Sequence, residues 1–236
     1  MADSKKASSA LVERRNSRAL LPTLIEDPLE RAKAEATNGL LQYDQGISLA
    51  QTALEVVANG NRWKLRPSMI LGLQRRALDG ISSFAGTYRP GPVEIDKSSH
   101  VPPDAHLVPE LVEDLCDYVN NNWNRKLAIH LSAYVLWRLN WIHPFDDGNG
   151  RTSRVVSYLV LLVKANNILA GSPTIPDLIT HHRSDYFSAL DEADDYWRKG
   201  TLNIVQAEQF LSGMLAKQLS TVYEAVGGSV PQDTPI

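Results

Sequence analysis

Apolar residues recur every three or four positions along most of the chain, which predicts a mainly helical protein. The clearest start signal is EDPLERAKAEA, where Asp27 can cap a helix, Pro28 suits its first position and Glu30 completes a capping box. The dipeptide Asn38-Gly39 predicts an interruption or a kink in this helix. A second helical stretch then runs to Asn59-Gly60, a typical helix end.

Six further segments have the same helical pattern: SMILGLQRRALDGI, PELVEDLCDYVNNNW, KLAIHLSAYVLWRLNWI, SRVVSYLVLLVKANN, DYFSALDEADDYWRKG and LNIVQAEQFLSGMLAKQLSTVYEAVGG. SRVVSYLVLLVKANN is apolar on most faces, so we expect it to be the central buried helix. In contrast, AGTYRPGPVEIDKSSHVPPDAH is rich in Gly, Pro and Ser and predicts a loop with a small β-hairpin at residues 92–96. The fold class is therefore expected to be all-α, with about seven or eight helices and one hairpin.

The length of 236 residues and the polar ends predict one domain over residues 21–228, between a mobile N-terminal tail (1–20) and a C-terminal tail (229–236). Lys and Arg number 24 against 27 Asp and Glu, and this balance predicts no nucleic-acid or anionic-membrane partner. The longest apolar run, 155–163, is too short to span a bilayer. The N-terminus lacks the apolar stretch of a signal peptide, which predicts a cytoplasmic protein and leaves secretion without a cleaved signal open.

The candidate chemistry is concentrated in HPFDDGNGRTSR, from His143 to Arg154. Pro144 disfavours helix at the preceding residue, so His143 ends the helix and its imidazole can accept a proton at the loop. Asp146 and Asp147 are adjacent and are not expected to point the same way. One of them can ligate Mg²⁺, which prefers carboxylates together with substrate phosphates.

The second half of this stretch suits an anion. Gly148-Asn149-Gly150 permits positive φ angles, and its N–H groups can form a nest at the start of the following helix. Arg151 and Arg154 lie on one face of that helix's first turn, where the helix dipole disfavours cations unless an anion lies between them. The stretch therefore predicts a magnesium-polyphosphate site with a base at its edge.

HPFDDGNGRTSR also matches, at every defined position, the Fic family signature His-x-Phe-x-(Asp/Glu)-Gly-Asn-Gly-Arg-x-x-Arg. GTYRPGPVEI…VPP resembles the flap of that family, and THHRSDYFSALDEADD resembles its segment after the central helix. The resemblance covers about residues 66–195, the expected core, and residues before it would be an N-terminal helical extension. It implies the all-α Fic fold and transfer of AMP from ATP to a protein hydroxyl, with release of pyrophosphate.

The resemblance also implies a role for each residue of the motif. His143 would be the base for the target Ser, Thr or Tyr hydroxyl, Phe145 the loop anchor and Asp147 the Mg²⁺ ligand. The residues that would bind the phosphates of ATP are Gly148, Asn149, Gly150, Arg151 and Arg154. The flap, with Val93, Glu94 and Ile95, would dock the target by strand-like pairing.

Several alternatives remain open at this level. The Doc branch of the family phosphorylates its target, but a lysine would be expected in place of Gly150. The same loop could remove AMP from a modified protein, or the chain could be a non-catalytic interaction module. Self-modification and an external antitoxin-like inhibitor are further candidates. Ser220-x-x-x-Glu224 has the spacing of the family's inhibitory helix, so Glu224 is a candidate inhibitory residue, although Ala225 departs from that pattern.

Overall fold

A computed structural model describes residues 17–18, 24–225 and 227–228 of the chain. The described residues form an all-α fold of eight helices, as predicted. The helices are α1 (Pro28–Ala58), α2 (Pro67–Leu78), α3 (Val108–Asn122), α4 (Ala128–Ile142), α5 (Asn149–Lys164), α6 (Ile175–His181), α7 (Arg183–Arg198) and α8 (Val205–Ala225). A 3-10 turn, Ala105–Leu107, precedes α3.

Helix α5 lies at the centre of the fold and packs along α4, which confirms its prediction as the buried helix. Twelve of its 16 residues are buried. Two serines allow the helices to approach closely: Ser132 Oγ donates to the Ser157 carbonyl at 2.9 Å, and Ser157 Oγ donates to the Ser132 carbonyl at 2.9 Å. Because α4 and α5 are locked together, both ends of the loop that joins them are fixed.

Helix α1 is capped as predicted, since the Asp27 carboxylate accepts a hydrogen bond from the Glu30 N–H at 2.8 Å. The predicted interruption at Asn38-Gly39 is wrong, because one helix runs through this position. The Asn38 side chain donates to the carbonyl of Asp79 at 2.8 Å, so a tertiary contact offsets the weak local propensity for helix.

The close contact between α1 and α5 depends on a glycine in the middle of α1. A Cβ at Gly46 would lie 2.6 Å from Cγ1 of Val155, so any side chain there would push the helices apart. One turn earlier, Gln42 is buried and donates to the hydroxyl of Thr152 on α5 at 3.2 Å. These contacts place the N-terminal part of α1 beside the loop between α4 and α5.

One short helix, α6, was not predicted from the hydrophobic pattern. A reciprocal capping box begins it, in which the Asp177 side chain accepts from the Thr174 backbone N–H at 3.1 Å. The Thr-x-x-Asp spacing is a recognisable start signal. Seven residues are, however, too short for a clear periodic pattern.

The predicted hairpin at residues 92–96 is also not formed. Strand β2 (Glu94–Ile95) pairs antiparallel with β1 (Ser17–Arg18), which comes from the segment predicted as a mobile tail. A strand of two residues needs a partner for its backbone groups, and here a distant segment supplies it. The rest of the predicted tails, residues 1–16, 19–20 and 229–236, lies outside the described residues.

Among the described residues, no helix combines the length and the apolar character that a membrane span requires.

Candidate active site

A cavity of about 530 Å³ opens where the loop between α4 and α5 meets five other elements. Its walls come from the first turns of α1, the flap strand β2, the end of α4, the start of α5 and one face of α7. The cavity therefore brings His143, Asp147, Arg151 and Arg154 together with Ile95 of the predicted docking strand.

His143 is held at the end of α4 in an unusual backbone conformation. Its φ is 50° and its ψ 59°, a left-handed conformation that costs a non-glycine residue free energy. The guanidinium of Arg89 donates to the His143 carbonyl at 2.8 Å, and the backbone N–H of Arg89 donates to the carbonyl of Pro144 at 2.9 Å. Arg89 therefore ties the flap segment to the loop, a role that the sequence pattern did not reveal.

Burial keeps the imidazole of His143 neutral. It lowers the pKa of His143 from 6.5 to about 3, and the electrostatic effects of His100 and Arg89 act in the same direction. The backbone carbonyl of Asn140, 3.3 Å from Nδ1, opposes the shift by favouring a proton on that nitrogen. With Nδ1 protonated, Nε2 carries the lone pair that can accept a proton.

Phe145 and Asn149 hold the loop in shape. The Asn149 side chain accepts from the Phe145 N–H at 2.9 Å and donates to the Phe145 carbonyl at 2.8 Å. The Phe145 ring is buried and stacks on Tyr88, with 6.2 Å between the ring centroids. Phe145 thus lies where a loop anchor should, and the Asn149 side chain fixes the loop around it.

The adjacent aspartates point apart. Asp146 is buried: its Oδ2 accepts from the Ser82 hydroxyl at 2.9 Å, and its Oδ1 from the Asp147 N–H at 2.9 Å. Asp147 faces the cavity, and its Oδ1 accepts from the Gly148 N–H at 2.6 Å. Asp147 is therefore the aspartate available to a metal ion, and Asp146 supports the loop.

The turn into α5 requires glycine at position 148. Gly148 has a φ of 78°, and a Cβ there would lie 2.9 Å from Cδ2 of Leu78, which is fully buried. Gly150 is the next residue but one, and a Cβ at that position would come within 3.3 Å of the Arg154 guanidinium. The small residues leave the N-terminus of α5 open to the cavity, where helix N–H groups favour an anion.

Positive charge accumulates around this helix end. Arg151, Arg154 and Arg183 all line the cavity. Burial lowers the pKa of Arg154, and the charges of Arg151 and Arg183 lower it further, against the opposing effects of Tyr186 and Asp177. Nη1 of Arg151 is buried with no hydrogen-bond partner among the described residues. A polyphosphate between these side chains would relieve both the repulsion and the missing hydrogen bond.

With this geometry established, comparison with known families is informative. The family model described as Fic/DOC family matches residues 64–161, a range that contains the flap, α4, the loop and most of α5. Residues 64–161 are a Fic/DOC domain.

The chain is similar to proteins named protein adenylyltransferase Fic. It is 31% identical over 128 residues to that of Drosophila willistoni and 34% identical over 128 residues to that of Nematostella vectensis. Each match includes 53% of this chain but only 24% and 28% of the relative. The chain thus spans about a quarter of the length of the curated relatives it matches.

Solved structures share the fold. A Fic domain containing signaling protein from Bacteroides thetaiotaomicron superposes with a TM-score of 0.66 and 20% identity, over 88% of this chain and 78% of that one. Fic-1 from C. elegans gives a TM-score of 0.58 and 19% identity, over 81% and 53% of the two chains. The likeness extends beyond the Fic domain to helices at both of its ends.

One wall of the cavity lies outside the motif. Tyr186, Phe187 and Leu190 of α7 line the cavity, and Asn140 donates to the Tyr186 hydroxyl at 2.9 Å. Asp194, one helical turn further, is buried and accepts from Nε1 of Trp137 at 2.7 Å. Asp194 belongs to the strongly polar run DEADD, and only the packing of α7 shows that this one side chain faces α4.

A second set of residues missed by the sequence comes from α1. Arg31 donates from Nη2 to Oδ2 of Asp147 at 3.0 Å and from Nε to Oε1 of Glu35 at 2.9 Å. Arg151 lies 3.5 Å from the same Asp147 oxygen. Hydrogen bonding to Glu35 raises the pKa of Arg31, and Asp147 adds to the effect against burial. Arg31, which lies outside the Fic domain, thus forms an ion pair with the predicted metal ligand Asp147.

The structure places the predicted flap residues and the predicted inhibitory residue differently relative to the cavity. The flap places Ile95 at the cavity, Val93 in the core and Glu94 on the surface. Glu224 is exposed in the last turn of α8, and it does not line the cavity as Arg154 does. The structure therefore joins the flap to the motif and leaves Glu224 apart from it.

Proposed function

We propose that this protein transfers the AMP moiety of ATP to a Ser, Thr or Tyr hydroxyl of a target protein and releases pyrophosphate. The observation that carries the proposal is the single cavity that holds a neutral imidazole, a carboxylate, several guanidinium groups and the edge of the flap. The relatives named protein adenylyltransferase support the same activity.

In the proposed reaction, the target hydroxyl oxygen attacks the α-phosphorus of ATP and forms the new P–O bond. The bond from the α-phosphorus to its bridging oxygen breaks, and pyrophosphate leaves with that oxygen. The hydroxyl proton passes to Nε2 of His143, which is neutral because burial lowers the pKa of this residue. The negative charge of bound ATP would raise the proton affinity of the imidazole during the reaction.

The phosphates would lie at the start of α5. The backbone N–H groups at Asn149 and Gly150 and the guanidinium groups of Arg151 and Arg154 suit them. The apolar wall of Tyr186, Phe187 and Leu190 suits the flat face of a nucleobase, since such pockets combine aromatic contact with a few polar groups.

Asp147 would hold the Mg²⁺ that accompanies ATP. Its carboxylate faces the cavity on the side of the phosphate site, and hard oxygen ligands are the ones that Mg²⁺ prefers. When bound, the ion would neutralise phosphate charge. Arg31 would have to release Oδ2 of Asp147 for this to occur, because the two groups are in contact at 3.0 Å.

The test is incubation of the protein with ATP labelled at either the α or the γ position, together with a cell lysate. Label that reaches protein from the α position, and not from the γ position, supports AMP transfer. Label from the γ position would instead indicate phosphorylation of the target, the alternative for which a lysine would be expected in place of Gly150. ATP binding without either transfer would leave an interaction module, and loss of AMP from a previously modified protein would indicate the reverse reaction.

A further inference from the structure

His100 joins the flap to two helices that border the cavity. It follows the flap strand β2 in the sequence, and it lines the same cavity as His143. Its Nε2 lies 2.7 Å from the carbonyl oxygen of Trp141 on α4, and its Nδ1 lies 3.7 Å from Oδ2 of Asp194 on α7. The side chains of His100 and Asp194 are each only 11% exposed, so water weakens their contact little.

The contact with Trp141 determines which ring nitrogen of His100 carries a proton. A backbone carbonyl can only accept a hydrogen bond, so Nε2 of His100 is the donor. Trp141 lies in the last turn of α4, where helix carbonyls lack a partner further along the helix. His100 supplies that partner just before His143, and it thereby ties the end of α4 to the flap.

The second ring nitrogen of His100 faces a carboxylate that is already held in place. Oδ1 of Asp194 accepts from Nε1 of Trp137 at 2.7 Å, and Oδ2 is the oxygen that faces His100. A bare nitrogen and an ionised carboxylate would repel each other, so a proton on either one makes the contact attractive. Burial raises the pKa of Asp194, against the opposing effects of Trp137 and His100, and this favours keeping a proton in the pair.

Arg89 holds the flap on the other side of its strand. The guanidinium of Arg89 donates to the carbonyls of His143, Gly91 and Pro103, and so it ties the flap to the loop after α4. Strand β2 lies between Arg89 and His100 in the sequence. The flap is therefore fixed at two points, and His100 is the one that joins it to α7.

We propose that His100 is a positioning residue for AMP transfer, which clamps the flap against α4 and α7 so that a target docked on the flap lies within reach of His143. The inference rests on the proposed AMP transfer. His100 takes no part in bond making or breaking, and it acts through the position it gives to β2 and to the last turn of α4. A shift of about 1 Å in the reacting groups can cost about 10²-fold in rate, so a loosened flap slows transfer while ATP still binds.

The first test compares AMP transfer with ATP binding in the full chain. His100→Phe keeps a ring beside Trp141 but removes both nitrogens, and we expect transfer from α-labelled ATP to lysate proteins to fall about 10- to 100-fold. ATP affinity, measured by calorimetry, should stay at the wild-type value. His106→Phe makes the same replacement at an exposed position and should be fully active. Undiminished transfer in His100→Phe, or an equal loss of ATP affinity, would overturn the positioning role.

Conservative variants and a double-mutant cycle test the two contacts of the clamp. His100→Gln offers Trp141 an amide N–H and should transfer faster than His100→Phe, and equal rates would overturn the clamp. Asp194→Ala should lose as much transfer as His100→Phe, and the double variant should lose no more than either single variant, because all three remove one contact. Asp194→Asn keeps an oxygen for Trp137 and should recover transfer even if Asp194→Ala does not fold. Losses that multiply in the double variant would show that the two residues act separately and would overturn the clamp.

Hydrogen exchange without nucleotide tests the clamp independently of AMP transfer. Backbone amides of residues 93–99 should exchange faster in His100→Phe than in wild type or His106→Phe, because the flap opens more often when one of its two anchors is lost. Equal exchange in a protein whose wild type transfers AMP would overturn the inference alone. Faster exchange in a protein whose wild type transfers no AMP would overturn the proposed function and leave only the contact between the flap, α4 and α7.

Discussion

The guanidinium of Arg31 lies 3.0 Å from the carboxylate of Asp147, although 116 positions separate the two residues in the sequence. Glu35 holds Arg31 from the other side at 2.9 Å. The contact places a fixed positive charge on the carboxylate that is proposed to hold Mg²⁺. It couples the first turns of α1 to the chemistry of the motif.

Removal of this charge should improve binding of Mg²⁺. Arg31 and Asp147 are each about a third exposed, so we count their pair at only about 0.2–1 kcal/mol. We therefore expect Arg31→Gln to raise Mg²⁺ affinity roughly 1.4- to 5-fold in calorimetric titration without nucleotide. Lys33→Gln removes an exposed charge from the same helix and should leave the affinity unchanged. Equal affinities in Arg31→Gln and wild type would show that the ion pair does not compete with the metal.

His143→Ala should stop AMP transfer while ATP still binds. Loss of a general base typically costs ~10²–10⁴-fold in rate, whereas the phosphate site at the start of α5 does not include the imidazole. Transfer is followed with α-labelled ATP, and binding by calorimetry. His106→Ala, which alters an exposed histidine, is the control and should be fully active. Wild-type turnover in His143→Ala would remove this residue from the mechanism.

The buried, neutral imidazole should also make the fold sensitive to acid. The pKa of His143 is about 3 in the folded protein, whereas the ordinary value is 6.5. Between these two pH values the imidazole is protonated in the unfolded chain and neutral in the native protein. The free energy of unfolding should therefore fall as the pH drops below 6.5, by up to about 1.4 kcal/mol per pH unit. This fall should end when the pH reaches about 3.

His143→Asn isolates this effect, because asparagine tolerates the left-handed backbone at this position. Urea unfolding of both proteins, at about pH 7 and about pH 5, should show a smaller loss of stability in the variant. Carboxylates titrate in both proteins and cancel in the comparison. An identical acid dependence would mean that the imidazole is not shielded from protons.

Gly148→Ala should destabilise the loop and the fold. A side chain at a φ of 78° costs roughly 1–2 kcal/mol, and the contact with buried Leu78 at 2.9 Å adds to that cost. Gly39→Ala is the matched control: no heavy atom would lie within 4 Å of its Cβ, and it lies inside α1. There alanine should add about 0.4–1 kcal/mol of stability. Thermal unfolding of the two variants should shift in opposite directions, and a shift in the same direction would contradict this account of the turn.

Glu224→Gly should leave self-labelling with ATP unchanged. The Ser220-x-x-x-Glu224 spacing made Glu224 a candidate inhibitory residue, but Glu224 is exposed at the end of α8 and lies outside the cavity lining. Arg154→Ala, which removes a cation from the phosphate site, serves as a control that should lose labelling. A marked rise in labelling of Glu224→Gly would revive the inhibitory reading.

The candidate chemistry of the motif is contiguous in the sequence. His143 to Arg154 form one helix end, one turn and one helix start, and local rules cover all three. The polar loop residues therefore lie where the pattern placed them, with Asp147 in the cavity and Asp146 in the loop's support. The opposite orientation of these neighbours also follows from local geometry.

Periodicity likewise determined most of the helices, and its errors have physical reasons. Asn38-Gly39 is a weak helical site taken alone, and the hydrogen bond to Asp79 that stabilises it cannot be read from neighbouring residues. The flap strand was predicted, but its partner was not, since two residues of β1 carry no periodic signal.

The tertiary structure alone decided what surrounds the motif. Arg31 and Tyr186 reach the site because α1 and α7 pack against the central helices. Arg89 reaches the loop, and β1 reaches the flap strand, from other segments of the chain. The sequence by itself determined a helical protein with a base, a carboxylate and an anion nest in one turn. Long-range packing determines which residue pairs with the proposed metal ligand Asp147 and which strand pairs with the flap. These contacts join positions far apart in the sequence, and no local pattern relates them.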